Sequence, residues 1–137
     1  MKKLLFTGLV LCVLTTPVLS QSKTVRPRSS LSKDIIGVWA LVDKSTSKVS
    51  AGNRLKLIVD RHWSLTQADS VSHVTTVHHG GTYTLTDSIY SERVEYANPN
   101  TARYIDTIAK FSIQIKGNSM YLKGIDNPWN EIWKRIR

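Results

Sequence analysis

From Ser50 to Pro128 this 137-residue chain is punctuated by turn-forming clusters about every ten residues. They are Ser50-Ala51-Gly52-Asn53, Gly80-Gly81, Thr86-Asp87-Ser88, Asn98-Pro99-Asn100, Gly117-Asn118 and Asp126-Asn127-Pro128. Segments this short leave little room for amphipathic helices, and none holds a sustained period near 3.6. They alternate polar with β-branched and aromatic residues instead, which is the mark of half-buried strands. The candidate strands are Ile36–Asp43, Arg54–Asp60, His62–Ala68, Ser72–His79, Thr82–Thr86, Ile89–Ala97, Thr107–Lys116, Ser119–Gly124 and Asn130–Ile136, eight or nine in all. An all-β meander of hairpins is the fold class this spacing requires.

Side-chain parity sorts the faces, because successive residues of a strand point to opposite sides. Phe111, Ile113 and Ile115 share one face, against Lys110, Ser112, Gln114 and Lys116 on the other. Leu55, Leu57 and Val59 are expected to face inward, with Arg54, Lys56 and Asp60 outward. Tyr90, Glu92, Val94 and Tyr96 share a face, and Tyr83 and Leu85 extend the inner set.

The two ends of this pattern carry a further constraint. Gly37-Val38-Trp39 opens it and Glu131-Ile132-Trp133-Lys134-Arg135 closes it. In a closed antiparallel barrel the first and last strands are neighbours, so the Trp39 indole can lie under the Arg135 guanidinium and plug one end. Gly37, Trp39, Trp133 and Arg135 are therefore read as structural. A β-sandwich of the same strands is the alternative; it has free edges and gives that juxtaposition no reason. A separation of Trp39 and Arg135 beyond about 10 Å would exclude closure, since a cation–π contact needs about 6 Å.

The N-terminus reads differently. Residues 1–20 have a basic start (Lys2, Lys3), a largely apolar stretch and a small-residue exit, the layout of a secretory signal peptide too short to span a bilayer. Residues 21–33 are expected to form a disordered basic linker, at whose end Ser32 caps a single helical turn over the barrel mouth. The folded domain is expected over 34–137. Cys12 is the only cysteine and lies in the apolar stretch, so after cleavage no disulfide, thiolate site or cysteine nucleophile is available. The formal charge of +9 is concentrated at the same end. From Asp34 onward there are 13 basic and 10 acidic residues, 13 − 10 = +3, which points to a basic arm on a near-neutral body and away from a nucleic-acid partner. These features predict a periplasmic or extracellular protein with no integral membrane segment after signal cleavage.

Over Ile35 to Ile136 the chain resembles the lipocalin-like domains of the calycin group. The likeness rests on the Gly37-x-Trp39 start after a one-turn helix, the strand count, the hairpin connectivity and the terminal Trp133-x-Arg135. More narrowly, Gly80-Gly81-Thr82-Tyr83-Thr84-Leu85, then Tyr90-Ser91-Glu92-Arg93-Val94-Glu95-Tyr96, then Glu131 to Arg135 is similar to a family of small secreted bacterial lipocalin-like domains of unassigned function. The resemblance implies a single eight-stranded antiparallel barrel that binds a small, largely apolar or amphipathic molecule inside. The chain departs from a typical lipocalin in its shorter length, in lacking that family's disulfide and in lacking the usual helix after the barrel.

The candidate ligand-binding residues are Tyr83, Tyr90, Glu92, Tyr96, His78 and Trp63, with Trp63 also read as core and Trp129 as either lining the open end or capping the core from outside. A carboxylate on an aromatic and aliphatic face must be paired if buried, so Glu92 belongs either to a structural network, satisfied by tyrosine hydroxyls or an arginine, or to the head-group contact of a ligand. His78 and His79 point to opposite faces of a regular strand and cannot chelate one metal unless the strand bulges at Gly80-Gly81. His73 shares the parity of His79 but lies six residues, roughly 20 Å, away. No metal, cofactor or catalytic motif is indicated, and no phosphate loop, since Gly80-Gly81 precedes no helix. The rival expectation is a secreted protein-interaction module, an inhibitor or assembly subunit, with a filled barrel. Cavity volume separates the two: about 300 Å³ or more favours a ligand carrier.

Overall fold

Eight strands run in chain order around one closed antiparallel barrel, each hydrogen-bonded to its sequence neighbours and the last returning to the first. The computed structural model describes residues 30–49, 54–69, 71–72 and 74–137. The expected signal peptide, most of the basic linker, the Ser50–Asn53 turn and His73 lie outside the described residues.

The strands are β1 (Gly37–Leu41), β2 (Arg54–Val59), β3 (His62–Ala68), β4 (Thr75–Thr86), β5 (Ile89–Ala97), β6 (Ile108–Lys116), β7 (Ser119–Ile125) and β8 (Asn130–Arg135). A short helix, α1 (Ser30–Asp34), precedes them, and a 3-10 helix, Pro99–Tyr104, joins β5 to β6. Helix α1 starts three residues earlier than a turn capped by Ser32 would, so Ser32 lies within it and not at its cap. Gly80-Gly81 is not a turn. It lies inside β4, and the two segments expected on either side of it are one strand of 12 residues.

Closure occurs where the sequence placed it. In the β1–β8 ladder Trp39 pairs with Arg135 and Leu41 with Trp133. The Arg135 guanidinium stands 4.1 Å from the centroid of the Trp39 ring. It also donates to the Ile36 carbonyl at 2.6 Å and to the carbonyl of Asp34, so one side chain ties α1 and its following turn to the last strand. The Trp39 indole N–H donates to the Ile35 carbonyl at 2.9 Å. Ile35, Trp39 and Ile58 are fully buried here, with Leu31 and Ile36 packed against them. Helix α1 therefore seals the closed end. Gly37 sits beneath the guanidinium with φ +147°, and a Cβ there would meet Arg135 Nη1 at 2.5 Å. Only glycine suits both the backbone and the close approach.

Strands β5 and β6 keep the expected parity over most of their length: Tyr90, Glu92, Val94, Phe111 and Ile113 are buried. Strand β2 is inverted. Lys56 and Ile58 face the interior, at 2% and 0% exposure, while Leu57 and Val59 are 37% and 59% exposed. The register explains it: Lys56 pairs with inward Trp39 and Ile58 with inward Trp63, and paired residues share a face. The ion pairs described below compensate a lysine on that face.

Candidate functional site

The end of the barrel opposite α1 is open. A cavity of about 200 Å³ descends from the lip, where Arg54, Arg103, Tyr104 and Trp129 stand, to a floor containing Lys56, Glu92 and Glu131. Its walls are Trp63, Leu65, Val94, Ala109 and Phe111, with His78 and His79 on one side. Below the floor the barrel is filled by Trp39, Ile58, Met120, Leu122 and Trp133.

The floor is an ionic triad in which Lys56 and Glu92 are buried and Glu131 is partly exposed. Lys56 Nζ lies 2.7 Å from Glu92 Oε1 and 3.5 Å from Glu131 Oε2. Glu131 Oε2 also accepts the Trp133 indole N–H at 2.9 Å. The ammonium is ringed by Trp133 at 4.8 Å, Trp63 at 5.4 Å, Phe111 at 5.8 Å and Tyr90 at 5.9 Å from the ring centroids. Quadrupole faces stabilise a cation that has lost its water. Burial is the largest single influence on Lys56 and pulls its pKa down, but the charges and hydrogen bonds of Glu92 and Glu131 together outweigh it and hold Lys56 above its usual value. Burial likewise pushes Glu92 up; Lys56 pulls it back only in part, and Glu131 adds repulsion. The two directions agree once the third group is counted, because one cation serves two carboxylates. Tyr90, fully buried beside Glu92, has its phenol pushed well up by burial and by that neighbouring charge, and its hydroxyl makes no well-formed hydrogen bond.

Two bulges build the side wall. In the β3–β4 ladder Leu65 pairs with His79 and Thr66 with Val77, leaving His78 as the extra residue. Both imidazoles then meet on the cavity side, with Nδ1 atoms 2.6 Å apart. The 3-10 helix clamps this bulge: Thr101 Oγ1 donates to the His78 carbonyl at 2.5 Å and Asn98 Nδ2 to the Val77 carbonyl at 3.0 Å. Asn98 caps the same helix by accepting from the Thr101 N–H at 3.1 Å. Burial first, then the positive charges of His78, Lys56 and Arg54, bring the His79 pKa down to about 4. Burial and the charges of Arg54 and Arg103 lower that of His78. An aromatic series runs up the wall from Trp63 to His79 (5.2 Å), Tyr104 (5.6 Å) and Trp129 (6.2 Å) between ring centroids.

The second bulge is on β5, where Gly80 pairs with Tyr96 and Gly81 with Val94, so Glu95 is the extra residue. Parity flips there. Tyr96, expected inward, stands 46% exposed and lies against Gly80, where a Cβ would collide with its ring. Its hydroxyl donates to the Trp63 carbonyl at 3.3 Å.

Of the sequence candidates, the structure brings Glu92, His78 and Trp63 into the cavity lining. Tyr83 and Tyr90 are buried in the core, 5.3 Å apart between ring centroids, and Tyr96 is outside. The partner of Glu92 is Lys56, where a tyrosine hydroxyl or an arginine was expected. Lys56, Glu131, Arg54, Arg103 and Tyr104 were missed. Trp39 offered a signal for Lys56, since an inward indole on β1 imposes its face on whichever residue of β2 pairs with it. No protein-family model matches this chain, and none of the curated proteins is significantly similar to it.

Proposed function

We propose that this is an exported lipocalin-like protein that binds a small molecule in the open end of its barrel, outside the cytoplasm. The observation that carries the reading is the cavity itself: one end of the barrel is packed solid, while the other is held open above an ionic floor in which one lysine serves two carboxylates. Its volume of about 200 Å³ does not reach the roughly 300 Å³ that would by itself favour a carrier over a filled barrel, which is the lower end of the drug-sized range. The ligand is accordingly small, or extends past the lip between Tyr104 and Trp129. The walls are apolar and aromatic, so they take a largely apolar body. Lys56 is engaged by Glu92 and Glu131 within the floor, which leaves the walls and the lip to select the ligand. Export follows from the basic, then apolar, then small-residue layout of residues 1–20.

Native mass spectrometry of the protein purified from its own host tests both halves. The expected result is a chain beginning near Gln21 with a co-purifying small molecule released on unfolding. A chain in the exported fraction that keeps Met1 contradicts cleavage of residues 1–20 as a signal peptide, and a chain found only in the cytoplasm contradicts export. Protein that repeatedly carries no bound mass, and instead co-purifies with another polypeptide, favours the protein-interaction module.

A further inference from the structure

The lip of the cavity carries two arginines that form no ion pair with a carboxylate among the described residues. Arg54, on β2, spends one N–H on the Gln67 side chain at 3.0 Å. Arg103, on the 3-10 helix, spends two, on the Asn100 carbonyl at 3.3 Å and the Tyr104 hydroxyl at 3.0 Å. A guanidinium has five N–H donors, so with respect to the described residues four remain on Arg54 and three on Arg103. The ion pairs among the described residues are Lys56 with Glu92 and Glu131, and Arg93 with Asp106; neither lip arginine has a carboxylate. They come from different elements of the barrel and line the same cavity. Arg103 is held in place by its own stacking on Tyr104, 4.7 Å from the ring centroid.

The paired histidines invite a metal reading, which the surroundings disfavour. Arg54, Arg103 and Lys56 put positive charge around them. The Nδ1 atoms, 2.6 Å apart, lie within hydrogen-bond distance of each other, and no group of three or more His, Cys, Asp or Glu among the described residues suits a metal. A divalent cation meets repulsion at this lip, whereas an anion meets unused donors. We infer that the ligand is a small amphipathic carboxylate, its apolar body against Trp63 and Phe111 and its carboxylate between Arg54 and Arg103. Planar guanidinium forks match carboxylates bidentately, and the resulting charge-assisted hydrogen bonds are about twice as strong as neutral ones.

The inference rests on the ligand-binding reading above, and a matched ligand series tests the two separately. Phenylacetate, 2-phenylethanol and 2-phenylethylamine share an aromatic body and differ in the head group. Their affinities are measured by titration followed through the indole N–H signals of Trp63 and Trp129, for the wild type, Arg54→Gln, Arg103→Gln and, as a control on the outer face, Lys116→Gln. The expected result is at least tenfold preference for the acid over the alcohol. Each arginine variant should lose roughly tenfold for the acid only, with unchanged melting, and Lys116→Gln should match the wild type. Equal binding of acid and alcohol, or arginine variants that bind the acid as well as the wild type does, overturns the carboxylate inference and leaves the cavity reading standing. Preference for the amine overturns it outright. If no member moves either indole signal, both readings fall. Zinc chloride in a parallel titration should leave the indole signals in place; saturable zinc binding lost in His78→Gln would assign the lip to a metal instead.

Discussion

Lys56→Met removes the one cation from the floor of the cavity and keeps most of its apolar stem. The ammonium lies 2.7 Å from Glu92 and both side chains are essentially buried. Removing one partner of a buried pair leaves an uncompensated charge, at a cost of about 3–5 kcal/mol. The four surrounding rings cannot replace the lost partner, because their faces favour cations. Part of this cost is avoidable by protonation. Glu92 already sits above its ordinary pKa because of burial and Glu131, and without Lys56 it rises further. A carboxylate whose folded pKa is raised contributes stability that is full below its unfolded value and lost as pH rises through the folded value. The deficit of Lys56→Met relative to the wild type should therefore be about 3–5 kcal/mol near pH 7 and shrink toward pH 4. Urea unfolding of both proteins across that range reads it directly. The double variant Lys56→Met with Glu92→Gln should recover much of the loss at pH 7. A deficit under about 1 kcal/mol, or one that does not change with pH, would refute the ionic triad.

Arg135→Met removes the cation–π contact, worth about 1–2 kcal/mol, and strips the Ile36 and Asp34 carbonyls of their donor; thermal melts should fall, with α1 losing hydrogen-exchange protection before the strands do. Gly37→Ala forces a Cβ into positive φ and against the guanidinium, so a loss of about 1–3 kcal/mol is expected, and a neutral result would contradict the packing of the closed end. For the histidine wall the sign is the reverse of that for Glu92. His79 binds its proton at about 4 when folded, against 6.5 when free, so its contribution is present above 6.5 and lost as pH falls toward 4. The ring is partly solvated, and screening reduces the effect to about 1–2 kcal/mol; His79→Gln should flatten the wild-type pH profile by that amount in urea melts.

Closure of the barrel was legible because it depends on two short blocks at the ends of the pattern, and strict alternation was kept in β6 and in β5 as far as Val94. Strand β2 misled because Leu55, Leu57 and Val59 alternate as an inner face does, while Ile58 shares parity with a lysine. Hydrophobicity alone cannot weigh a lysine compensated by two carboxylates from β5 and β8, which lie 36 and 75 positions further along the chain (92 − 56 and 131 − 56). The bulges were hidden for a related reason. Each adds a single residue, His78 or Glu95, and reverses every parity beyond it. That reversal turned Tyr96 outward and brought the two histidines together. The lip arginines belong to the end of β2 and to a 3-10 helix read as a simple turn, and only the closed barrel brings them to one cavity.

The four tryptophans offer the most direct measurement of the central claim, since they sample the barrel from lip to base. Trp129 stands at the lip, Trp63 on the cavity wall, and Trp39 at the closed end under Arg135. A two-dimensional proton–nitrogen spectrum recorded before and after unfolding and refolding, which strips any bound molecule, should show the Trp129 and Trp63 indole signals displaced. The Trp39 signal should stay in place, and adding back the released small-molecule fraction should restore the original positions. Indole signals that are identical in the two preparations, or a change confined to Trp39, would contradict a ligand held in the open end of this barrel.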